Sequence, residues 1–127
     1  MSVKEIIHTD LAPAAVGPYS QAVAANQMIF TSGQIPIDPK TGKIEADTIE
    51  AQTEQVMHNL RCVLAEGGVS FDRVIKTTCF LADMGDFGAF NEVYGRYFTG
   101  KPARSCVAVK ELPKNVLCEV EAIAQLG

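Results

Sequence analysis

An uncharged segment from Leu11 to Ile37 constrains this chain more than any other feature of its sequence. It is longer than the roughly 20 apolar residues that a membrane-spanning helix needs. Prolines, glycines and polar side chains interrupt it, however, and lipid would leave their backbone and amide groups unpaired. We therefore predict no membrane partner, and we expect these residues to be buried within a protein, at a cleft or a subunit contact.

Size and charge indicate one small globular domain, residues 1–127. The length lies within the usual range for a domain, and the 47% of hydrophobic residues excludes a disordered chain. Eleven basic residues stand against fifteen acidic ones, and no block of like charges occurs. Because nucleic-acid affinity comes largely from clustered Lys and Arg, the net charge of −4 argues against a nucleic-acid partner.

Cysteine and histidine usage predicts no metal site. The four cysteines form no Cys-x-x-Cys pair, and the two histidines are far apart. Zinc ligands usually come in short paired spacings. The N-terminal residues also lack the apolar core of a signal peptide, so we expect reduced thiols and a cytoplasmic protein.

The periodicity of the chain predicts an α+β fold. Apolar residues at spacings of three and four predict helices at about 48–66 and 86–98, and we assign the aromatic stripe of the second helix to the core. Together with the strands, these helices predict a mainly antiparallel sheet of about six strands with both helices on one face. The other face then needs a cover, and a second subunit is the simplest one. The strands expected from β-branched and aromatic residues are a hairpin at 21–32 and single strands at about 74–81, 105–109 and 116–125.

Two charged residues, Arg104 and Glu119, stand in segments that otherwise have strand composition. The turn residues at 112–115 predict that the last two strands form a hairpin. An even-length loop would place Arg104 and Cys106 on one face, because side chains alternate along a strand. Glu119 and Glu121 would then share that face. The patch is either an ordinary cross-strand ion pair or an anion site, in which Arg binds a carboxylate and Glu polarises a water.

Five segments carry a resemblance to a known family. The sequence resembles the RidA group of the Rid family, the reactive intermediate imine deaminases. The segments follow the order of the family almost from one end of the chain to the other. They are residues 12–22 (Ala-Pro-Ala-Ala-Val-Gly-Pro-Tyr-Ser-Gln-Ala), 31–36 (Thr-Ser-Gly-Gln-Ile-Pro), 76–81 (Lys-Thr-Thr-Cys-Phe-Leu), 102–107 (Pro-Ala-Arg-Ser-Cys-Val) and 119–124 (Glu-Val-Glu-Ala-Ile-Ala).

This resemblance implies a chorismate-mutase-like fold and a homotrimer with its sites in the clefts between subunits. The implied activity is hydrolysis of 2-aminoacrylate-type enamines and their imine tautomers to 2-oxo acids and ammonia. Such intermediates escape from pyridoxal-phosphate-dependent dehydratases, so the protein would act in metabolite damage control. It would need no cofactor of its own.

The resemblance also implies roles for three residues of the last two strands. Arg104 matches the arginine that binds the substrate carboxylate, and Glu119 matches the acid that orients the attacking water. Cys106 would line the site through its backbone N–H. A cysteine nucleophile has little support, because no histidine accompanies Cys106 and a thiol in an apolar strand stays protonated.

Four further residues match positions that line or close the family's cleft. Ser32 and Gly33 correspond to a Ser-Gly pair that contacts ligand. Tyr19 and Asn91 correspond to residues at the edge of the cleft, some of which reach in from the neighbouring subunit. Glu121 is assigned a structural role, and the short segment 99–101 also borders the cleft in this resemblance.

Other functions are compatible with the same residues. A regulatory module could bind a 2-oxo acid or other carboxylate through Arg104 without turning it over, and only Glu119 favours an enzyme. RNA cleavage or translation inhibition has been attached to some family members, but the acidic charge balance argues against it. The sequence neither supports nor excludes a chaperone-like activity.

Overall fold

The computed structural model describes residues 4–127; the first three residues of the N-terminal segment lie outside the described part of the chain. Within residues 4–127, six strands form one sheet and two α-helices cover one of its faces, which confirms the predicted α+β class. The sheet has the order β1-β2-β3-β6-β4-β5, and every neighbouring pair is antiparallel except β4 and β5. The elements are β1 (Glu5–Ile7), β2 (Ala22–Ala25), β3 (Met28–Thr31), α1 (Ile49–Glu66), β4 (Val74–Leu81), α2 (Phe87–Tyr97), β5 (Ala103–Ala108) and β6 (Cys118–Gln125).

Helix α1 begins and ends where local chemistry predicts. The Thr48 hydroxyl accepts a hydrogen bond of 3.1 Å from the Ala51 N–H at the N-cap. Gly68, with φ of +86°, ends the helix in a conformation that suits glycine. Between them, Val56, Leu60 and other apolar residues form the buried stripe that packs against the sheet.

The aromatic stripe of α2 belongs to the core, as predicted. Phe90, Tyr94 and Phe98 are buried, and the Tyr94 and Phe98 rings stack with centroids 4.6 Å apart. The Tyr94 hydroxyl forms a hydrogen bond of 2.7 Å with the Thr77 hydroxyl on β4. This contact fixes α2 over the half of the sheet that contains β4 and β5.

The predicted hairpin at 21–32 is also present. Strands β2 and β3 pair in antiparallel register, and Asn26 and Gln27 form the turn with φ of 52° and 64°. Positive φ angles at both central residues are typical of a type I′ turn, whose twist matches the twist of the two flanking strands. Strand β1, which pairs with β2, was not predicted, because three residues are too few to show an alternating pattern.

The hairpin predicted for the last two strands is wrong. Strand β4 lies between β5 and β6, parallel to β5 and antiparallel to β6. The connection from 109 to 117 contains a 3₁₀ turn at Pro113–Asn115 and is longer than the usual hairpin loop of about 2–5 residues. It is therefore long enough to carry the chain past the end of β4, which local turn signals could not reveal.

The face of the sheet opposite the helices, here called the open face, carries exposed apolar side chains. Phe30 on β3 and Val107 on β5 are 45% and 47% exposed. The helix face, by contrast, is closed by a continuous core that includes Cys79, Val120 and Leu81. None of the helices in the described part of the chain is both long and apolar enough to cross a membrane.

Candidate functional site

Arg104 is the centre of a group of polar and aromatic side chains between β5 and α2. Its guanidinium donates a hydrogen bond of 2.7 Å to Asn91 Oδ1. The guanidinium carbon lies 4.8 Å from the ring centroid of Tyr94 and 5.5 Å from that of Phe87. Arg104, Asn91, Phe87 and Tyr94, with the neighbouring Cys106, are called the arginine cluster below.

The arginine cluster holds the guanidinium without neutralising it. The stacking and the bond to Asn91 orient its plane, and the aromatic faces attract the cation. No carboxylate within residues 4–127 forms an ion pair with Arg104. An oriented, unpaired guanidinium at the edge of a sheet is suited to bind a carboxylate through two parallel hydrogen bonds.

Cys106 is a half-buried neighbour of Arg104 on the same face of β5. Burial raises the pKa of the Cys106 thiol, and the Arg104 guanidinium offsets only part of that effect. Its partner across the strand pair, Cys79, is fully buried, and burial raises the pKa of that thiol to about 12. Both thiols are therefore protonated at neutral pH, which agrees with the expectation that Cys106 is not a nucleophile.

Glu119 lies in a second group, on the open face of β6. A cavity of about 330 Å³ is formed by Glu119, Ser32, Gly33 and Tyr19, with Ile35 and Pro113 as apolar walls. The first four residues are called the glutamate cluster below. All four were predicted as site residues, whereas Ile35 and Pro113 were not, since neither carries a chemical signal in the sequence.

The residues that follow β3 are held against β6 by backbone hydrogen bonds. The Gln34 N–H donates to the Val120 carbonyl at 2.8 Å, and the Val120 N–H donates back to the Gln34 carbonyl at 3.1 Å. The Thr31 hydroxyl accepts from the Ala122 N–H at 3.0 Å. These bonds place Gly33 directly beside Glu119.

Ser32 connects this segment to the loop that carries Tyr19. Its hydroxyl donates to the Ser20 carbonyl at 2.6 Å, and its N–H donates to the Gln21 carbonyl at 2.9 Å. The Ser32 hydroxyl is therefore engaged in holding the loop. Tyr19 itself is 54% exposed, so its ring projects from the protomer.

Gln21 organises the same loop, although it was not among the predicted site residues. Its buried side chain accepts from the Thr9 N–H at 2.7 Å and donates to the carbonyls of Thr9 and Pro13 at 3.0 and 2.8 Å. Its place inside an uncharged segment could have predicted this role, because a buried amide side chain must find hydrogen-bond partners.

The electrostatic environment of Glu119 favours its neutral form. Burial, with a smaller contribution from Glu121 on the same strand face, raises the pKa of the Glu119 carboxyl. Its carboxylate forms no ion pair with the described residues. A carboxylate of raised pKa is a stronger proton acceptor than one in water, which suits a general base.

The two clusters lie on opposite faces of the sheet. Arg104 pairs with Thr77 on β4 and so shares the helix face. Glu119 pairs with Phe80, whose side chain points to the open face because side chains alternate along β4. The prediction that Arg104 and Glu119 share one face is therefore wrong, since it depended on the hairpin that β4 interrupts. The chain therefore presents two separate clusters, one on each face of the sheet.

The residue types of the two clusters suit a small carboxylate and a water. Within residues 4–127, no group of three or more His, Cys, Asp or Glu side chains is placed to hold a metal ion. The structure brings Arg104, Asn91 and Cys106 together, and separately Glu119, Gly33, Ser32 and Tyr19.

Comparison with known proteins gives consistent results. The family profile described as Endoribonuclease L-PSP matches residues 9–126. A RutC family protein of Pyrococcus horikoshii is 53% identical over 96% of this chain and 98% of its own. The chloroplastic Reactive Intermediate Deaminase A of Arabidopsis thaliana is 47% identical over 97% of this chain and 66% of its own. The crystal structure of Escherichia coli TdcF with bound serine superimposes with a TM-score of 0.91 at 44% identity, covering 97% of this chain and 99% of that one.

Proposed function

This chain belongs to the Endoribonuclease L-PSP family, which includes Reactive Intermediate Deaminase A, and we propose that it hydrolyses reactive 2-imino acids. The substrates are 2-aminoacrylate-type enamines and their imine tautomers, and the products are 2-oxo acids and ammonia. The observation that carries this proposal is the presence of two clusters: one holds an oriented Arg104 with no ion-pair partner among residues 4–127, and the other holds a half-buried Glu119 beside a cavity.

Arg104 binds the only permanent charge of such a substrate, its carboxylate. Two parallel hydrogen bonds from the guanidinium fix the carboxylate and therefore the adjacent C=N carbon. Serine in the TdcF structure is an amino acid with the same carboxylate next to a nitrogen-bearing carbon.

Glu119 takes a proton from the water that attacks this carbon. As the new C–O bond forms, the electron pair of the C=N bond moves to nitrogen, giving a carbinolamine. The carboxyl of Glu119 returns this proton to nitrogen, which completes the carbinolamine, and its carboxylate then takes the proton of the new hydroxyl and passes it to the same nitrogen. The C–N bond breaks, ammonia leaves with the electron pair of that bond, and the C=O bond of the 2-oxo acid forms. Imines hydrolyse readily, so positioning and proton transfer worth roughly 10²–10⁴-fold suffice without a covalent intermediate.

The complete site is proposed to form between copies of this chain, in a homotrimer. Arg104 and Glu119 lie on opposite faces of one sheet, so one substrate molecule cannot touch both within a protomer. The exposed Phe30 and Val107 of the open face, and the projecting Tyr19, give a neighbouring subunit an apolar surface to cover. The glutamate cluster of one subunit would then face the arginine cluster of the next.

A coupled assay tests the activity. A pyridoxal-phosphate-dependent threonine dehydratase generates the enamine, and release of 2-oxobutanoate is followed with and without this protein. We expect faster release with the intact protein, and loss of the acceleration in Arg104→Ala and Glu119→Gln. Arg61→Ala is the matched control, because Arg61 also stacks on aromatic rings but belongs to neither cluster.

Two outcomes would contradict this proposal. Equal rates with and without the protein, combined with saturable binding of a 2-oxo acid, would indicate the regulatory module. Cleavage of RNA without imine hydrolysis would indicate a nuclease, although the net charge of −4 and a single cationic side chain in the two clusters argue against it.

A further inference from the structure

Thr77 on β4 is connected to Arg104 through the side chain of Tyr94, and we propose that Thr77 is a positioning residue for substrate binding. Thr77 does not touch the substrate in this proposal. Its hydroxyl fixes Tyr94, and the ring of Tyr94 holds the guanidinium in the orientation that a carboxylate needs. The inference rests on the proposed function and deepens it, because it assigns a role in binding to a residue outside both clusters.

The register of β4 and β5 brings Thr77 and Arg104 side by side. The two residues pair directly on these parallel strands, so both side chains leave the helix face of the sheet at the same level. Tyr94 reaches both of them from α2. Its hydroxyl lies 2.7 Å from the Thr77 hydroxyl, and its ring centroid lies 4.8 Å from the guanidinium carbon. One side chain of the helix therefore contacts a hydroxyl on one strand and the cation on the next.

Both supports of the guanidinium come from one side of α2. Asn91, which accepts a hydrogen bond from Arg104, and Tyr94 are three residues apart and therefore neighbours on the helix surface. The remaining side-chain hydrogen bonds of α2 go to Glu54 on α1. Among residues 4–127, the contact with Thr77 is thus the side-chain hydrogen bond that joins this helix to β4. Without it, only packing opposes a shift of the ring and of the guanidinium stacked on it.

The hydroxyl at position 77 has a cost that valine would avoid. Thr77 is completely buried, and Cys79 and Leu81, which follow it on the same face of β4, belong to the apolar core. Burying a hydroxyl is unfavourable unless a hydrogen bond compensates for it. Valine at 77 and phenylalanine at 94 would have nearly the same shapes without this requirement. The hydrogen-bonded pair adds what apolar packing lacks, a directional contact that fixes the ring beside Arg104.

Three substitutions separate the hydroxyl contact from packing. Thr77→Val and Tyr94→Phe each remove one hydroxyl and keep the shape of the side chain, whereas Thr77→Ser keeps the hydroxyl. Thr53→Val is the matched control. Thr53 is also completely buried, and its hydroxyl donates to the Ile49 carbonyl at 2.7 Å within α1, away from both clusters. Both valine variants lose one buried hydrogen bond, so both should have a lower Tm.

Binding of 2-oxobutanoate, measured by isothermal titration, reports the orientation of Arg104 without turnover. We expect Thr77→Val to raise its Kd about fivefold, in line with the loss of one hydrogen bond, and Tyr94→Phe to do the same. In the coupled assay kcat/KM should fall by the same factor, because the guanidinium binds the carboxylate in the ground state and the transition state alike. Thr77→Ser should restore binding, and Thr53→Val should leave the Kd unchanged.

Two results of the titration would overturn this inference. One is a Thr77→Val variant that loses thermal stability as Thr53→Val does but binds 2-oxobutanoate like the intact protein, since Thr77 would then have only a structural role. The other is a double variant, Thr77→Val with Tyr94→Phe, in which the two effects on Kd add. Residues that act through one shared contact give no further loss when both are changed.

A measurement without ligand keeps the test independent of the proposed function. The Nε–H resonance of Arg104, assigned by its absence in Arg104→Lys, is sensitive to the position of the guanidinium over the Tyr94 ring. It should move in Thr77→Val and stay in place in Thr53→Val, and an unchanged resonance in Thr77→Val would overturn the positioning role. If the intact protein hydrolysed no imine, the proposed function would fail, whereas this resonance would still decide whether Thr77 positions Arg104.

Discussion

The carboxylate of Glu119 occupies the space that a side chain at position 33 would need. A Cβ on Gly33 would overlap Glu119 Oε2 and lie 2.8 Å from the carboxyl carbon. Glycine at this position therefore allows the acid to lie against the backbone that follows β3. The Ser-Gly pair of the sequence has two separate tasks here, since Ser32 holds the Tyr19 loop and Gly33 makes room for the acid.

We accordingly expect Gly33→Ala to displace Glu119 and to lower kcat. The loss should reach about tenfold or more, because general-base assistance is worth roughly 10²–10⁴-fold when it is complete. Steady-state kinetics in the coupled assay would measure it, and Gly88→Ala is the control. A Gly33→Ala variant with unchanged kcat would show that the Glu119 position has no effect on the reaction.

The opposite placement of Arg104 and Glu119 predicts complementation between inactive variants. Arg104→Ala and Glu119→Gln should each be inactive alone, yet mixed and reassembled oligomers should recover about a quarter of the activity, because a site is intact only when its two contributing subunits each supply the unmutated residue. Activity after co-refolding of an equal mixture measures this.

If oligomers shown to contain both variants stay inactive, Arg104 and Glu119 of the same subunit would have to serve one site, which would contradict the proposed arrangement. Size-exclusion chromatography with light scattering gives the subunit number. Arg104→Ala alone should keep the oligomeric state of the intact protein, whereas its dissociation would make Arg104 a structural residue.

The raised pKa of Glu119 predicts how activity and stability depend on pH. As the proposed base, Glu119 must be ionised, so kcat/KM should rise with pH through an acid limb that reflects the raised pKa of this carboxyl. Glu121→Gln should move this limb to lower pH, because Glu121 contributes to the raised pKa. A pH profile that Glu121→Gln leaves in place would argue against this assignment.

The free energy of unfolding should depend on pH in the opposite sense to activity, because the contribution of Glu119 to stability should fall as pH rises. The folded protein holds the Glu119 proton more tightly than the unfolded chain, so the stability associated with this group is present below the unfolded pKa and is lost as pH rises through the folded pKa. Glu119→Gln should therefore raise the Tm at neutral pH and have a smaller effect in acid. Thermal unfolding at several pH values checks this, and an unchanged Tm difference across pH would contradict it.

Cys106 provides a test of the non-covalent mechanism. Its thiol is part of the arginine cluster, and burial raises the pKa of that thiol. We expect Cys106→Ala to keep kcat within about threefold of the intact protein, since a role through the backbone N–H survives the substitution. Loss of activity by 10²-fold or more, or a covalent adduct in mass spectrometry of the intact protein, would require a nucleophilic cysteine.

The sequence by itself determined the local elements and the residue types of the site. Thr48 and Gly68 limit α1, and the aromatic stripe of α2 is buried as its spacing predicts. These features depend on contacts between residues three or four positions apart, which periodicity records directly. The five ordered segments likewise indicated the family, whose profile matches residues 9–126, and they supplied Arg104 and Glu119 as candidate site residues.

Only the tertiary structure decided how those residues are arranged. The insertion of β4 between β5 and β6 puts Arg104 and Glu119 on opposite faces, and the approach of Gly33 to Glu119 depends on the bridge from Gln34 to Val120. The physical reason is that the partner of a strand is selected by packing between segments distant in the chain. A local pattern shows which side chains alternate, but the neighbouring strand determines which face each side chain shares.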